Sequence, residues 1–118
     1  MIAFLDINPI NPGHTLVIPR EHFATFHETP DEVLAGMVAV AKKIAPAIVK
    51  ALDAEGYNIG VNTGWVAGQA VDHVHLHVIP RHEGDGLRAW HGREQYPEGE
   101  MGETARKIKE VLETGEEK

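Results

Sequence analysis

Three histidines stand at alternate positions in Asp72-His73-Val74-His75-Leu76-His77-Val78-Ile79-Pro80. An extended chain sends successive side chains to opposite faces, so His73, His75 and His77 share one face and Val74, Leu76 and Val78 the other. Along a strand, neighbouring imidazoles on that face sit about 6.5–7 Å apart, twice the rise per residue. Imidazole is the side chain whose ordinary pKa lies nearest neutrality, which suits it to proton traffic, nucleophilic attack or metal binding. Two alternating histidines can converge on one ion if a distant residue adds a third ligand, but three in a row span too far. The nearby carboxylate, Asp72, falls on the opposite face. Catalysis therefore leads over a metal site, and nothing in the pattern calls for a cofactor.

His14 stands alone after Pro12-Gly13. Taken singly it reads as a satisfied core or surface histidine, and beside a histidine-rich strand it becomes an orienting partner. His22, His27, His82 and His91 lie in polar surroundings and read as surface residues. The stretch from Asn62 to Ala70 carries Gly64, Gly68 and the amides of Asn62 and Gln69. It serves equally as a plain connection or as a source of backbone and side-chain donors for a phosphate.

The elements that must position these residues follow from periodicity and punctuation. Residues 1–6 read as a strand, with Ile2 and Phe4 apolar. Asn8-Pro9-Ile10-Asn11-Pro12-Gly13 forbids regular structure, and Thr15-Leu16-Val17-Ile18 makes a second strand antiparallel to the first, stopped by Pro19. Residues 21–28 suggest a short helical turn. Thr29-Pro30-Asp31-Glu32 predicts a helix start with a threonine cap. The helix runs to about Leu52 on the stripe Val33, Met37, Val40, Ile44 and Ile48, with Pro46 kinking or splitting it and Gly56 ending it. Tyr57, Ile59 and Val61 alternate in a third strand, and the histidine strand closes at Pro80. A polar loop anchored by Leu87, Trp90 and Tyr96 leads to an amphipathic helix from Glu103 to about Thr114, and the last four residues should fray.

At 118 residues this reads as one domain, residues 1–118, with 42% hydrophobic and 25% charged residues. The net charge of −7 argues against a broad nucleic-acid surface but not against one small anionic ligand. The absence of cysteine excludes disulfides, thiolate zinc sites and cysteine nucleophiles. No apolar run reaches membrane-spanning length and no signal-peptide pattern opens the chain, so a cytoplasmic protein with no membrane partner is the default.

His73-Val74-His75-Leu76-His77-Val78-Ile79 resembles the signature of the histidine-triad family of nucleotide hydrolases and transferases. Phe4-Leu5-Asp6-Ile7-Asn8-Pro9, Pro12-Gly13-His14-Thr15-Leu16-Val17-Ile18-Pro19, Asn62 and Gly68-Gln69 fall in the family's order and spacing. The resemblance implies an α+β fold, a five-stranded antiparallel sheet with one long and one short helix, paired in a homodimer. It implies a purine nucleotide substrate attacked at the α-phosphorus by His75, giving a covalent nucleotidyl-histidine. His77 would donate to a phosphate oxygen or the leaving group, with His14 and His73 holding the arrangement. Asn62 and Gln69 match positions near the phosphate, Asp6 a ribose-hydroxyl acceptor, and Phe4 and Ile7 part of an apolar slot for the base. From alternation alone, the Phe4–Ile7 face reads as core.

A histidine at position 77, where the uridylyltransferase branch has glutamine, favours hydrolysis over transfer to a sugar phosphate. The strand-break-repair branch needs cysteine-ligated zinc, which this chain lacks. Phosphoramidate hydrolysis and dinucleoside-polyphosphate cleavage stay unresolved. Relatives usually carry a further helix and strand before the segment matching Ile2–Asp6, so an N-terminal edge strand and part of the base pocket are expected to be missing. Ala70 replaces a serine or threonine that close relatives often place near the leaving group. Both departures keep open a nucleotide-binding, regulatory dimer that turns over poorly.

Overall fold

Two short apolar segments joined by a proline-rich loop pair as expected. In the computed structural model, which describes residues 1–87 and 95–115, β1 (Ile2–Leu5) and β2 (Thr15–Ile18) are antiparallel, with Phe4 opposite Leu16 and Ile2 opposite Ile18. β2 pairs next with β4 (Leu76–Arg81), and β4 with β3 (Gly56–Val61), both antiparallel. The described residues thus form a four-stranded sheet in the order β1-β2-β4-β3. The fifth strand that the resemblance implied is not among them.

Alternation sorts this sheet into two faces. Val17, Leu76 and Val78 are buried under α1 (Asp31–Ala51), where Met37, Ala41 and Ala45 complete the core with Val74. Ala41 and Ala45 share the inner stripe with Val33, Ile44 and Ile48, four residues apart where the helix turns. The opposite face carries Phe4, Leu16 and His77, and it is left uncovered by α1.

Several local expectations need correction. Residues 21–28 form bends and turns, not a helical turn. Thr29 does not cap α1, because its hydroxyl donates back to the Thr25 carbonyl at 2.6 Å, and Pro30 occupies the cap position with no side-chain hydrogen bond. α1 runs unbroken through Pro46 and stops at Leu52, with Asp53 taking a positive φ of 52°, before Gly56 is reached.

The histidine segment differs most. β4 begins only at Leu76, so His73 and His75 precede the ladder, and Pro80 lies inside it. The reason at the start is that the Val74 amide donates to the Phe23 carbonyl instead of to a strand. At the other end, the Pro80 carbonyl accepts from Asn11 Nδ2 at 2.9 Å on the side where β2 has already ended. A strand residue's N–H and C=O point to the same edge, so the missing proline donor faces that gap and no ladder bond is lost.

By its internal contacts the chain separates into residues 1–85 and 86–118. In the second unit α2 (Glu100–Thr114) starts three residues earlier than periodicity suggests and ends at Gly115 in the left-handed conformation. Arg106 bridges Glu103 and Glu110 along one side, while Ile108 and Leu112 are exposed. Of the expected loop anchors and tail, Trp90 and residues 116–118 lie outside the described residues, as does His91.

Candidate functional site

Among the described residues, His14, His73, His75 and His77 gather on the uncovered face of the sheet or at its rim, and main-chain groups decide where their protons sit. His75 Nδ1 lies 2.7 Å from the His73 carbonyl oxygen. A carbonyl only accepts, so Nδ1 carries the hydrogen and Nε2 of the neutral ring keeps its lone pair. His75 lines a cavity of about 210 Å³ together with His73, Phe4, Leu16, Ile18 and Val71.

A second chain of hydrogen bonds runs through His14 and His77. The Ile10 amide donates to His14 Nδ1 at 3.1 Å, and His14 Nε2 lies 2.9 Å from His77 Nδ1. Because His14 Nδ1 is an acceptor, its Nε2 must carry the hydrogen and donate to His77 Nδ1. His77 Nε2 is then also protonated. That atom is buried with no partner among the described residues. A buried donor without an acceptor is costly, on the order of 1–3 kcal/mol, and here it stands beside His75, the two ring centroids 4.8 Å apart in an edge-on arrangement.

Burial, reinforced by the neighbouring His75 and His14 rings, pushes the His77 pKa down to about 4. Burial likewise lowers that of His14, opposed by the carboxylate of Asp6, whose Oδ2 lies 3.9 Å from His14 Nε2. Both rings are neutral at pH 7, as their shared hydrogen bond requires. An unfolded chain protonates these histidines near pH 6.5 while the folded one resists. Their contribution to stability is therefore complete above pH 6.5 and is lost progressively toward pH 4. For His77 the loss is on the order of 2 kcal/mol after allowance for solvent screening. Urea unfolding at pH 7 and pH 4.5 should show it, with a shallower pH slope in His77→Gln; an unchanged slope would contradict this account of the pair.

Local structure explains why His14 can be there. Gly13 has φ +96°, and a Cβ on it would stand 3.1 Å from Leu52 and 3.2 Å from Pro80, so only glycine lets the loop turn in this close. Asp6 is fixed by the Asn8 amide, which donates to Oδ1 at 2.9 Å, leaving Oδ2 turned toward His14.

His73 plays a different part. Its Nε2 donates to the Pro19 carbonyl at 3.1 Å, so its Nδ1 accepts from His22 Nδ1 at 3.0 Å, with the two rings stacked. His22 was expected on the surface alone. Its pairing spans 51 positions, and no local spacing announces it. Among the described residues no group of three or more histidine, aspartate or glutamate side chains converges as a metal would need.

The remaining expected residues divide. Phe4 lines the cavity, but Ile7 is 92% exposed and stands outside its lining. Leu16, Ile18 and Val71 were missed, although the alternation of Thr15–Ile18 against buried Val17 already turns Leu16 and Ile18 toward the histidines. The Gln69 amide is fully engaged: Nε2 donates to the Ala24 and Val71 carbonyls, and Oε1 accepts from the Gly64 amide. It braces the loop. Asn62 has no such bond among the described residues, and its amide packs on Gly68, where φ is +103° and a Cβ would come within 3.2 Å of Nδ2.

Comparison with known proteins gives a consistent picture. The HIT domain model matches residues 1–84. The uncharacterized HIT-like protein MJ0866 of Methanocaldococcus jannaschii is 54% identical over 86 residues, 73% of this chain and 66% of the relative. The adenosine 5'-monophosphoramidase hnt1 of Schizosaccharomyces pombe is 49% identical over 80 residues, 68% of this chain and 57% of its own length. The chain thus spans less than two thirds of either of these relatives. Among solved structures, SMU.412c from Streptococcus mutans matches with a TM-score of 0.84 at 37% identity, over 93% of this chain and 70% of that one.

Proposed function

The chain belongs to the HIT domain family, and from that premise we propose that it is a nucleotide hydrolase using His75 as nucleophile. The observation that carries this reading is the 2.7 Å bond from His75 Nδ1 to the His73 carbonyl. It leaves one unprotonated ring nitrogen beside the cavity, next to the unpartnered Nε2–H of His77.

In the first step His75 Nε2 forms a bond to the α-phosphorus, and the bond from phosphorus to the leaving atom breaks with its electron pair going to that atom. The His73 carbonyl stabilises the positive charge that the attacking ring acquires. His77 Nε2–H, already desolvated, hydrogen-bonds to the charge that develops on the phosphoryl or leaving group, which strengthens as the bond breaks. Water then displaces His75 from phosphorus, and the electron pair returns to Nε2. Over both steps hydroxyl is added to phosphorus and hydrogen to the leaving group. The base lies in the Phe4–Leu16–Ile18 cavity, and Asp6 Oδ2 accepts from the ribose hydroxyls.

Phosphoramidates are the favoured substrates, in keeping with the phosphoramidase name of the Schizosaccharomyces relative. Steady-state hydrolysis of adenosine 5'-phosphoramidate by the purified protein tests this. A second reading, a nucleotide-binding protein with slow turnover, is favoured by Ala70 and by the engaged Gln69 amide, which has no hydrogen left for a phosphate. Saturable nucleotide binding without hydrolysis would select it.

The protein acts as a homodimer in either reading. Among the described residues β3 ends the sheet, and its Tyr57 and Ile59 are about half exposed on the helix-covered face, while Val38 of α1 is also exposed. An open strand edge with exposed apolar side chains invites a second copy. Sedimentation should give twice the 13.0 kDa chain mass, reverting toward monomer in Ile59→Asp; a monomeric parent would dismiss the assembly.

A further inference from the structure

Beyond the base cavity, the same loop builds a second groove whose chemistry bears on the leaving group. Its volume is about 350 Å³, and Trp65, Thr63, Ala70, Val71 and Asp72 are among its walls. Val71 also lines the cavity that holds His73 and His75, so the two depressions adjoin across one side chain. With the base in the first cavity, the adjoining groove is the space open to a group on the far side of Val71.

Trp65 is the unexplained residue there. It is 85% exposed, yet its backbone is firmly held. Residues Trp65–Ala67 form one 3-10 turn between Gly64 and Gly68, both at positive φ. The Ala67 and Gln69 amides donate to the Gly64 carbonyl, the Gly68 amide to the Trp65 carbonyl, and the Gly64 amide to the Gln69 side chain. A large aromatic ring presented to water from a braced turn is a platform for a partner with a flat face.

Charge narrows the partner. Asp72 stands in the same groove, and among the described residues that line it there is neither lysine nor arginine. A polyphosphate chain would enter against a carboxylate with no cation to offset it. An aromatic amine, neutral or carrying a distal ammonium, finds both a ring to stack on and a carboxylate to face.

We propose that Trp65 and Asp72 form a leaving-group subsite that selects nucleoside phosphoramidates of aromatic amines over substrates releasing an anionic nucleotide. The inference rests on the hydrolase reading and adds the substrate class to it. Neither residue belongs to the histidine machinery, and both are exposed, so their replacement leaves the fold intact.

The test compares adenosine 5'-phosphoramidates of 2-phenylethylamine and 2-cyclohexylethylamine, which differ in aromaticity at similar size, with diadenosine triphosphate. The phenyl amidate should be favoured in kcat/KM over the cyclohexyl one about five- to tenfold, chiefly through KM. Trp65→Ala should erase that preference, lowering the phenyl amidate more than the cyclohexyl one until the two are equal. Asp72→Lys should raise kcat/KM for diadenosine triphosphate severalfold. Equal kcat/KM for the two amidates, or equal losses on both in Trp65→Ala, would overturn the subsite while leaving the hydrolase standing. If no substrate turns over, the hydrolase reading fails. Calorimetric binding of the two amidates to His75→Ala and to its Trp65→Ala double variant then decides the subsite by itself, a phenyl preference lost with Trp65 supporting it and no preference refuting it.

Discussion

His75→Ala should form no nucleotidyl adduct and should lose turnover by roughly 10⁴-fold or more, the scale seen when a covalent nucleophile is removed. The expectation is severe because no neighbour can take its place. His73 donates from Nε2 to Pro19 and accepts at Nδ1 from His22, so both of its nitrogens are spent. His77 accepts at Nδ1 from His14 and carries a hydrogen on Nε2. Of the described imidazoles around the cavity, only His75 offers a lone pair. Its ring lies partly exposed at the cavity wall, so the variant should melt within a few degrees of the parent. Intact-mass analysis after rapid, acid-free quenching with adenosine phosphoramidate reads the adduct directly. A persistent adduct on the variant, or turnover near that of the parent, would remove His75 from its assigned role.

The second large effect belongs to His77. His77→Ala should lower kcat by about 10²–10³-fold, the cost of deleting one preorganised donor to developing charge. It also strands the buried Nε2–H of His14, a stability penalty on the order of 1–3 kcal/mol. His77→Gln separates these two consequences. A glutamine oxygen accepts from His14 as Nδ1 did, and its amide still donates, so this variant should melt near the parent and retain more activity than the alanine. If the second, hydrolytic step suffers more than the first, nucleotidyl-His75 will accumulate in His77→Ala and be visible by mass. Parent-like kcat in His77→Ala would mean that the buried donor has no part in the chemistry.

Much of this arrangement was legible from residue order, and the largest exceptions share one physical cause. β1, β2, α1 and β3 lie within a residue or two of where alternation, apolar striping and proline punctuation put them, because those signals are local. The types and spacing of His73, His75, His77 and His14 pointed to an imidazole cluster for the same reason. What could not be read were bonds made across long stretches of chain. The Val74 amide turns to Phe23, so β4 starts late. Gln69 looks like a free phosphate donor until Ala24, 45 positions away, claims its amide. Thr29 is a local exception: it has the composition of a helix cap but spends its hydroxyl on the Thr25 carbonyl four residues back. Ile7 continues an apolar run but follows Asp6 out of β1, where no partner strand directs its side chain.

The bond from the Ile10 amide to His14 carries a consequence for how this sequence can vary. A peptide N–H does not titrate, so the sense in which His14 and His77 pass their hydrogens is pinned wherever both rings are neutral. The pin also belongs to the backbone and owes nothing to the isoleucine side chain, which is itself half exposed. Position 10 is therefore free to drift among nineteen amino acids while one is barred. A saturation library there should tolerate every replacement but proline, so a residue essential to the site's proton order would look unconstrained by its side chain.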